Sequence, residues 1–172
     1  FGLSSIESCI TNMSKEKPVF WGIDLAKSQD YTVIIGLDIS GRTSYFDRFQ
    51  QSWESTERTI LQTMNGETCY VDSTGVGDPI VERLQKNLSN FHGFKFSSSS
   101  KQRLMEGLQL AIHNKEIGFP QGTISNELMS FEYQYTRTGA TYSAPDGLHD
   151  DCVMALALAV YGKDNRAGLG VW

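Results

Sequence analysis

"VFWGIDLAKSQDYTVIIGLDISGRTSYFDRFQ", residues 19–50, holds three β-rich runs joined by short connections. VFWGIDLA and YTVIIGLDI are crowded with β-branched and aromatic residues, a Ser-Gly-Arg turn follows, and TSYFDRFQ closes the set. Connections this short suit antiparallel neighbours, because a parallel return needs a long crossover, so the stretch predicts an antiparallel meander. One residue is out of place. Asp24 ends an otherwise apolar run, where an unpaired buried charge costs roughly several kcal/mol.

Downstream the period changes. STERTILQTM (55–64) has helical spacing with Ser55 or Thr56 as its cap, and ETCYVDSTG (67–75) predicts a short buried strand that carries a second acidic interruption, Asp72. GDPIVERLQKNL (77–88) predicts a helix opened by Asp78 and Pro79, and FHGFKFS (91–97) a further strand. SKQRLMEGLQLAIHNKEI (100–117) and TISNELMSFEYQY (123–135) are expected as helices, TRTGATYSAP (136–145) as a hairpin or an edge strand around Gly139, and SSSS (97–100) as a loop. A long apolar helix should run from about Leu148 to Tyr161. A meander followed by alternating helices and strands predicts an α/β fold: a mixed sheet, antiparallel then parallel, with helices on both faces.

The 172 residues fit one core-bearing domain at 18–162, between a linker or flexible segment at 1–17 and an irregular tail at 163–172. The composition, 40% hydrophobic and 20% charged, is that of an ordinary globular protein. No apolar run is long enough to span a bilayer, so no membrane partner is expected. Three scattered cysteines, Cys9, Cys69 and Cys152, point to neither a disulfide framework nor a thiolate zinc site. A net charge of −5 argues against gripping nucleic acid by bulk electrostatics alone, yet is compatible with an acidic site that works with cations.

GLHDDCVMALALAV (147–160) sets Asp150 and Asp151 side by side at the head of the most apolar helix. A helix N-terminus welcomes one acidic residue for its dipole and its unpaired N–H groups; a second adds repulsion that a bound cation relieves. If the first strand is central and the fourth lies beside it, Asp24 and Asp72 approach each other and the Asp150/Asp151 pair closes a third side. Carboxylates converging in this way cannot all stay ionised without cations, which predicts a divalent metal site, with oxygen ligands favouring Mg²⁺ or Mn²⁺ over zinc. Two such ions activate water for phosphodiester cleavage and require no nucleophilic side chain. Plainer readings compete: Asp24 as a strand-end carboxylate bonded to backbone N–H groups, and Asp72 as the start of an Asx-turn in DSTG. Lys27, Lys101, Arg103, Arg137 and His149 are candidates for contact with DNA.

FWGIDLAKSQDYTVIIGLD (20–38), CYVDSTGVGDPIVERL (69–84) and GFPQGTISNELMSFEYQYTRTGATYSAPDGLHDDCVMALALA (118–159) together resemble the nuclease domain of the tailed-phage terminase large subunit. The resemblance implies an RNase H-like fold and a metal-dependent endonuclease that cuts concatemeric double-stranded viral DNA in the host cytoplasm. It assigns Asp24, Asp72, Asp150 and Asp151 as catalytic metal ligands. It also implies an ATPase domain of the same protein outside this chain, since no GxxxxGK[ST] occurs here, with the portal and small terminase subunit as partners. The pattern departs at Met154, where related proteins often carry a further acidic residue, which leaves Asp150 and Asp151 to share its task. A Holliday-junction resolvase, an RNA–DNA hybrid nuclease and a non-catalytic assembly module of the same fold are the alternatives.

Overall fold

The meander forms as three strands: β1 (Phe20–Asp24), β2 (Thr32–Leu37) and β3 (Thr43–Phe49). The computed structural model describes residues 1–26, 31–74, 78–136, 139–143 and 149–169, with backbone alone for 78, 132–136, 139–143 and 166–169. Ahead of the meander lies α1 (Leu3–Cys9); after it come α2 (Trp53–Thr63), β4 (Thr68–Asp72), α3 (Asp78–Asn87), β5 (Phe91–Phe94), α4 (Ser98–His113), α5 (Thr123–Ser130), the hairpin β6 (Glu132–Thr136) and β7 (Gly139–Ser143), and α6 (Asp151–Leu169). The main sheet has the order β3-β2-β1-β4-β5. Strands β1, β2 and β3 pair antiparallel, whereas β4 lies parallel to β1 and β5 parallel to β4. This is the expected mixed sheet, with β1 at its centre.

Side chains alternate across a strand, and the two faces bury two separate cores. Phe20, Val33, Ile35 and Leu37 pack with α1, α4, α5 and α6, while Trp21, Ile23, Leu25 and Ile34 pack with Ile60 of α2 and Ile80, Val81 and Leu84 of α3. Helix α6 is buried without a break from Asp151 to Val160, and it crosses β1 at very close range. A Cβ placed on Gly22 would lie 1.9 Å from the Ala155 carbonyl oxygen and 2.6 Å from the Ala159 amide nitrogen. Only a residue without a side chain permits that crossing, and the alanines at 155 and 159, one turn apart, keep the facing helix surface flat.

Several expectations are corrected. The segment 1–17 is not a bare linker: α1 buries Ile6 and Cys9, and the chain after it is tied to the body through the Thr11 amide on the Phe119 carbonyl (2.9 Å) and the Ser14 hydroxyl on Asp38 (2.5 Å). Two buried residues among serines make too weak a period to notice in so short a helix. The stretch from 163 is not an irregular tail as far as Leu169, since α6 continues that far. Helix α2 starts a turn earlier, with Ser52 accepting from the Ser55 amide at 3.2 Å. The serine run is not a loop: Ser97 caps α4 in a capping box with Ser100, and the serines after Ser97 form its first turn. The expected helix at 123–135 stops at Ser130, because the alternation of EYQYT suits the strand β6.

Replacing Gly22 with alanine should therefore lower unfolding free energy by about 2–3 kcal/mol, the usual cost of forcing a methyl group into filled space. Urea unfolding followed by far-UV circular dichroism checks this. An unchanged midpoint would mean that α6 can lift off β1 freely.

Candidate metal centre

Asp24 and Asp72 are direct cross-strand partners in the parallel β1–β4 pair, which sets their side chains on one face at the C-terminal edge of the sheet. The row continues through Val33 on β2 to Arg48 on β3. Helix α6 covers this face and delivers Asp151 at its head. The result is an open cavity of about 370 Å³ lined by Asp24, Asp72, Asp150 and Asp151, with Thr74, Ser97, Ser98, Lys101 and Met154 around them. Every aspartate expected at the site reaches the same cavity.

Three of the four carboxylates are nearly withdrawn from water: Asp24 and Asp72 are 8% exposed and Asp151 7%. Burial pushes the Asp24 carboxyl well above the ordinary carboxylate range, and the charges of Asp72, Asp151 and Asp150 and a hydrogen bond with Asp151 add to it. Asp72 serves two ends, since its Oδ1 accepts the Thr74 amide at 2.8 Å, the expected Asx-turn, while its carboxylate still lines the cavity.

The donor set suits a hard cation: four carboxylates, no thiolate facing the cavity, and hydroxyls of Thr74, Ser97 and Ser98 on its wall. Among the described residues no three acidic, imidazole or thiol groups stand close enough together, as the side chains are placed, to hold a metal ion between them, although four carboxylates line one cavity. An open carboxylate site of this kind matches an ion that keeps several of its waters, as Mg²⁺ does. Cys152, next to Asp151, is fully buried, and burial drives its thiol far above the usual range, so it is no nucleophile.

The basic candidates divide. Lys101, on the first turns of α4, lines the cavity. Arg103, two residues on, is exposed and does not. His149 sits at the rim with Nδ1 3.7 Å from Asp151 Oδ2 and its ring edge-on to Tyr31, which in turn lies under the Arg48 guanidinium at 3.6 Å. Lys27 and Arg137 fall outside the described residues. Sequence reasoning missed Arg48 and Glu127. Glu127, on α5, accepts the Cys152 amide at 2.9 Å. Burial, with a smaller push from Asp151, holds its carboxyl above the usual range against the Cys152 bonds and Arg48. Neither residue stands in a motif; only the register across the sheet and the packing of α5 bring them here.

Residues 21–162 match the family model described as the terminase RNaseH-like domain. The chain belongs to that family. Among solved structures it is similar to the large terminase nuclease of the thermophilic phage G20c, with 26% identity over 92% of this chain and 96% of that one and a TM-score of 0.78. The magnesium-bound form of the same G20c nuclease matches at 27% identity, covering 92% and 95% of the two chains with a TM-score of 0.77. The large terminase nuclease domain of Thermus phage P74-26, at 24% identity, 91% and 92% coverage and a TM-score of 0.74, shares the fold. No curated protein sequence matches the chain. The RNase H-like terminase fold thus stands on the sheet topology and on the family, and it supports a nuclease of phage DNA packaging. No helix among the described residues is long and apolar enough to cross a membrane.

The raised Asp24 carboxyl gives a stability prediction for the terminase domain without metal. A folded-state carboxyl that holds its proton more tightly than the unfolded chain contributes stability that is complete below the ordinary value of 3.8 and is lost as pH rises through the raised one. Asp24→Asn removes that loss. In EDTA at pH 7.5 the variant should be more stable than wild type by about 1–3 kcal/mol, with the gap closing toward pH 4. Urea unfolding at both pH values measures it. A variant less stable at both would make Asp24 a structural carboxylate.

Proposed function

We propose that this terminase domain is a divalent-metal-dependent endonuclease that cleaves double-stranded, concatemeric viral DNA during genome packaging in the host cytoplasm. The observation that carries the reading is the cross-strand Asp24/Asp72 pair capped by Asp150 and Asp151 in one open cavity. The four aspartates would hold two Mg²⁺ or Mn²⁺ ions. When bound, such ions activate water and stabilise the leaving oxygen of a phosphodiester. The bound magnesium of the similar G20c nuclease supports that choice of metal.

The chain's own groups supply the rest. Lys101 stands on the cavity wall beside the α4 N-terminus, where a cation and the positive end of the helix dipole favour a phosphate. His149 at the rim and the exposed Arg103 would meet the flanking backbone, and we assign Lys27 and Arg137, outside the described residues, to the same task from the sequence. Hydrolysis proceeds by water alone, since the one thiol beside the centre is buried and protonated. With a net charge of −5, affinity for DNA should be low and should fall with salt. An ATPase domain of the full-length protein, the portal and the small terminase subunit would hold the DNA in place.

Wild type should nick and then linearise supercoiled plasmid with Mn²⁺ or Mg²⁺ and be silent in EDTA. Asp24→Asn should reduce the rate at least about 100-fold. Lys101→Ala should raise KM more than it lowers kcat, as loss of a contact made equally in the ground and transition states does. A folded wild type that leaves plasmid intact in both metals would point to an assembly module or to a nuclease that needs its ATPase domain to hold the DNA, and cleavage confined to four-way junctions or RNA–DNA hybrids would favour the related nucleases.

A further inference from the structure

Two aspartates head α6, and the contacts around them bear on why neither is consumed by capping the helix. The Asp150 carbonyl accepts the Met154 amide at 3.0 Å, which makes Asp150 the N-cap residue. An aspartate at that position ordinarily turns its own carboxylate back onto the amides of the first turn. Here the Cys152 amide is taken from outside the helix by Glu127 Oε1 at 2.9 Å, from a helix 25 residues earlier in the chain. The Cys152 thiol bonds to the same carboxylate. Asp150 and Asp151 both line the cavity instead, whereas Glu127 does not.

We propose that Glu127 is a positioning residue of the acidic centre: by capping α6 in trans at Cys152, it fixes the neighbouring Asp151 and releases the Asp150 carboxylate to the cavity. Arg48 supports the arrangement from the far end of the Asp72–Asp24–Val33 row, where its charge favours the ionised Glu127. Glu127 does not line the cavity, so it acts only through Asp150 and Asp151. The inference rests on the metal-site reading above and deepens it by naming what holds that site open.

The test separates reach from charge in the intact chain. Glu127→Gln keeps an acceptor oxygen at the same distance and loses the charge; Glu127→Asp keeps the charge and falls short of the Cys152 amide. Mn²⁺ affinity is measured by isothermal titration calorimetry well below the unfolding temperature of each variant. The expected order is wild type and Glu127→Gln within about threefold of each other, and Glu127→Asp weaker by about tenfold, the usual effect of a group that orients a ligand. Ser52→Ala, which removes the N-cap of α2 on the opposite face, serves as the control for lost helix capping and should bind Mn²⁺ like wild type. If Glu127→Asp binds as wild type, or if Glu127→Gln is the weaker of the two, the positioning role is overturned while the metal site stands. Absence of Mn²⁺ binding by wild type would overturn both.

Discussion

The contact on which the structure depends is the crossing of α6 over β1 at Gly22, where helix backbone and strand backbone meet with no side chain between them. Helix packing on a sheet ordinarily leaves a layer of side chains between the two. Removing that layer here lowers the N-terminal end of α6 onto the strand end that carries Asp24, so that two residues beyond Gly22 on β1 and four residues before Ala155 on α6 come to one place. The alanines of α6 and the glycine of β1 are therefore as much part of the acidic centre as its carboxylates. They decide how far apart those carboxylates lie.

That closeness is unfavourable by itself. Three buried carboxyl groups and a fourth at the rim repel one another, and burial together with that repulsion pushes the Asp24 carboxyl well above the ordinary carboxylate range. The surrounding structure withstands this strain because it is secured on both sides. Asp72 is held by its turn to Thr74, the head of α6 by Glu127, and the sheet beneath by two independent cores. A site that gives up stability when empty has the electrostatics a strong cation site needs, since what destabilises the metal-free state is what a bound ion would relieve.

The parts of the fold that could be read in advance are those whose burial pattern is local. The strands of the meander and β4 declared themselves by dense β-branched and aromatic residues, and α6 by an apolar run that the core then swallowed whole. The acidic candidates were legible because a carboxylate inside an apolar strand is too costly to bury without a partner, a proton or a cation. What escaped was set by partners distant in the chain. Helix α1 exists because Ile6 and Cys9 find α4 and α5, the serines at 97–100 are helical because Ser97 and Ser100 cap each other, and Glu127 looks like any surface residue of an amphipathic helix.

The amino-acid sequence by itself determined the chemistry on offer: a central apolar strand ending in Asp24, a second ending in Asp72, a pair of aspartates at a helix head, and the family to which these segments belong. Tertiary structure alone decided that Asp24 and Asp72 stand in register, that Lys101 but not Arg103 faces them, and that Glu127 and Arg48 back them. The reason is physical. Residue types and periods follow from local burial, whereas register, crossing distance and capping between elements depend on how surfaces far apart in the chain pack, and one missing Cβ at Gly22 governs the most consequential of those packings.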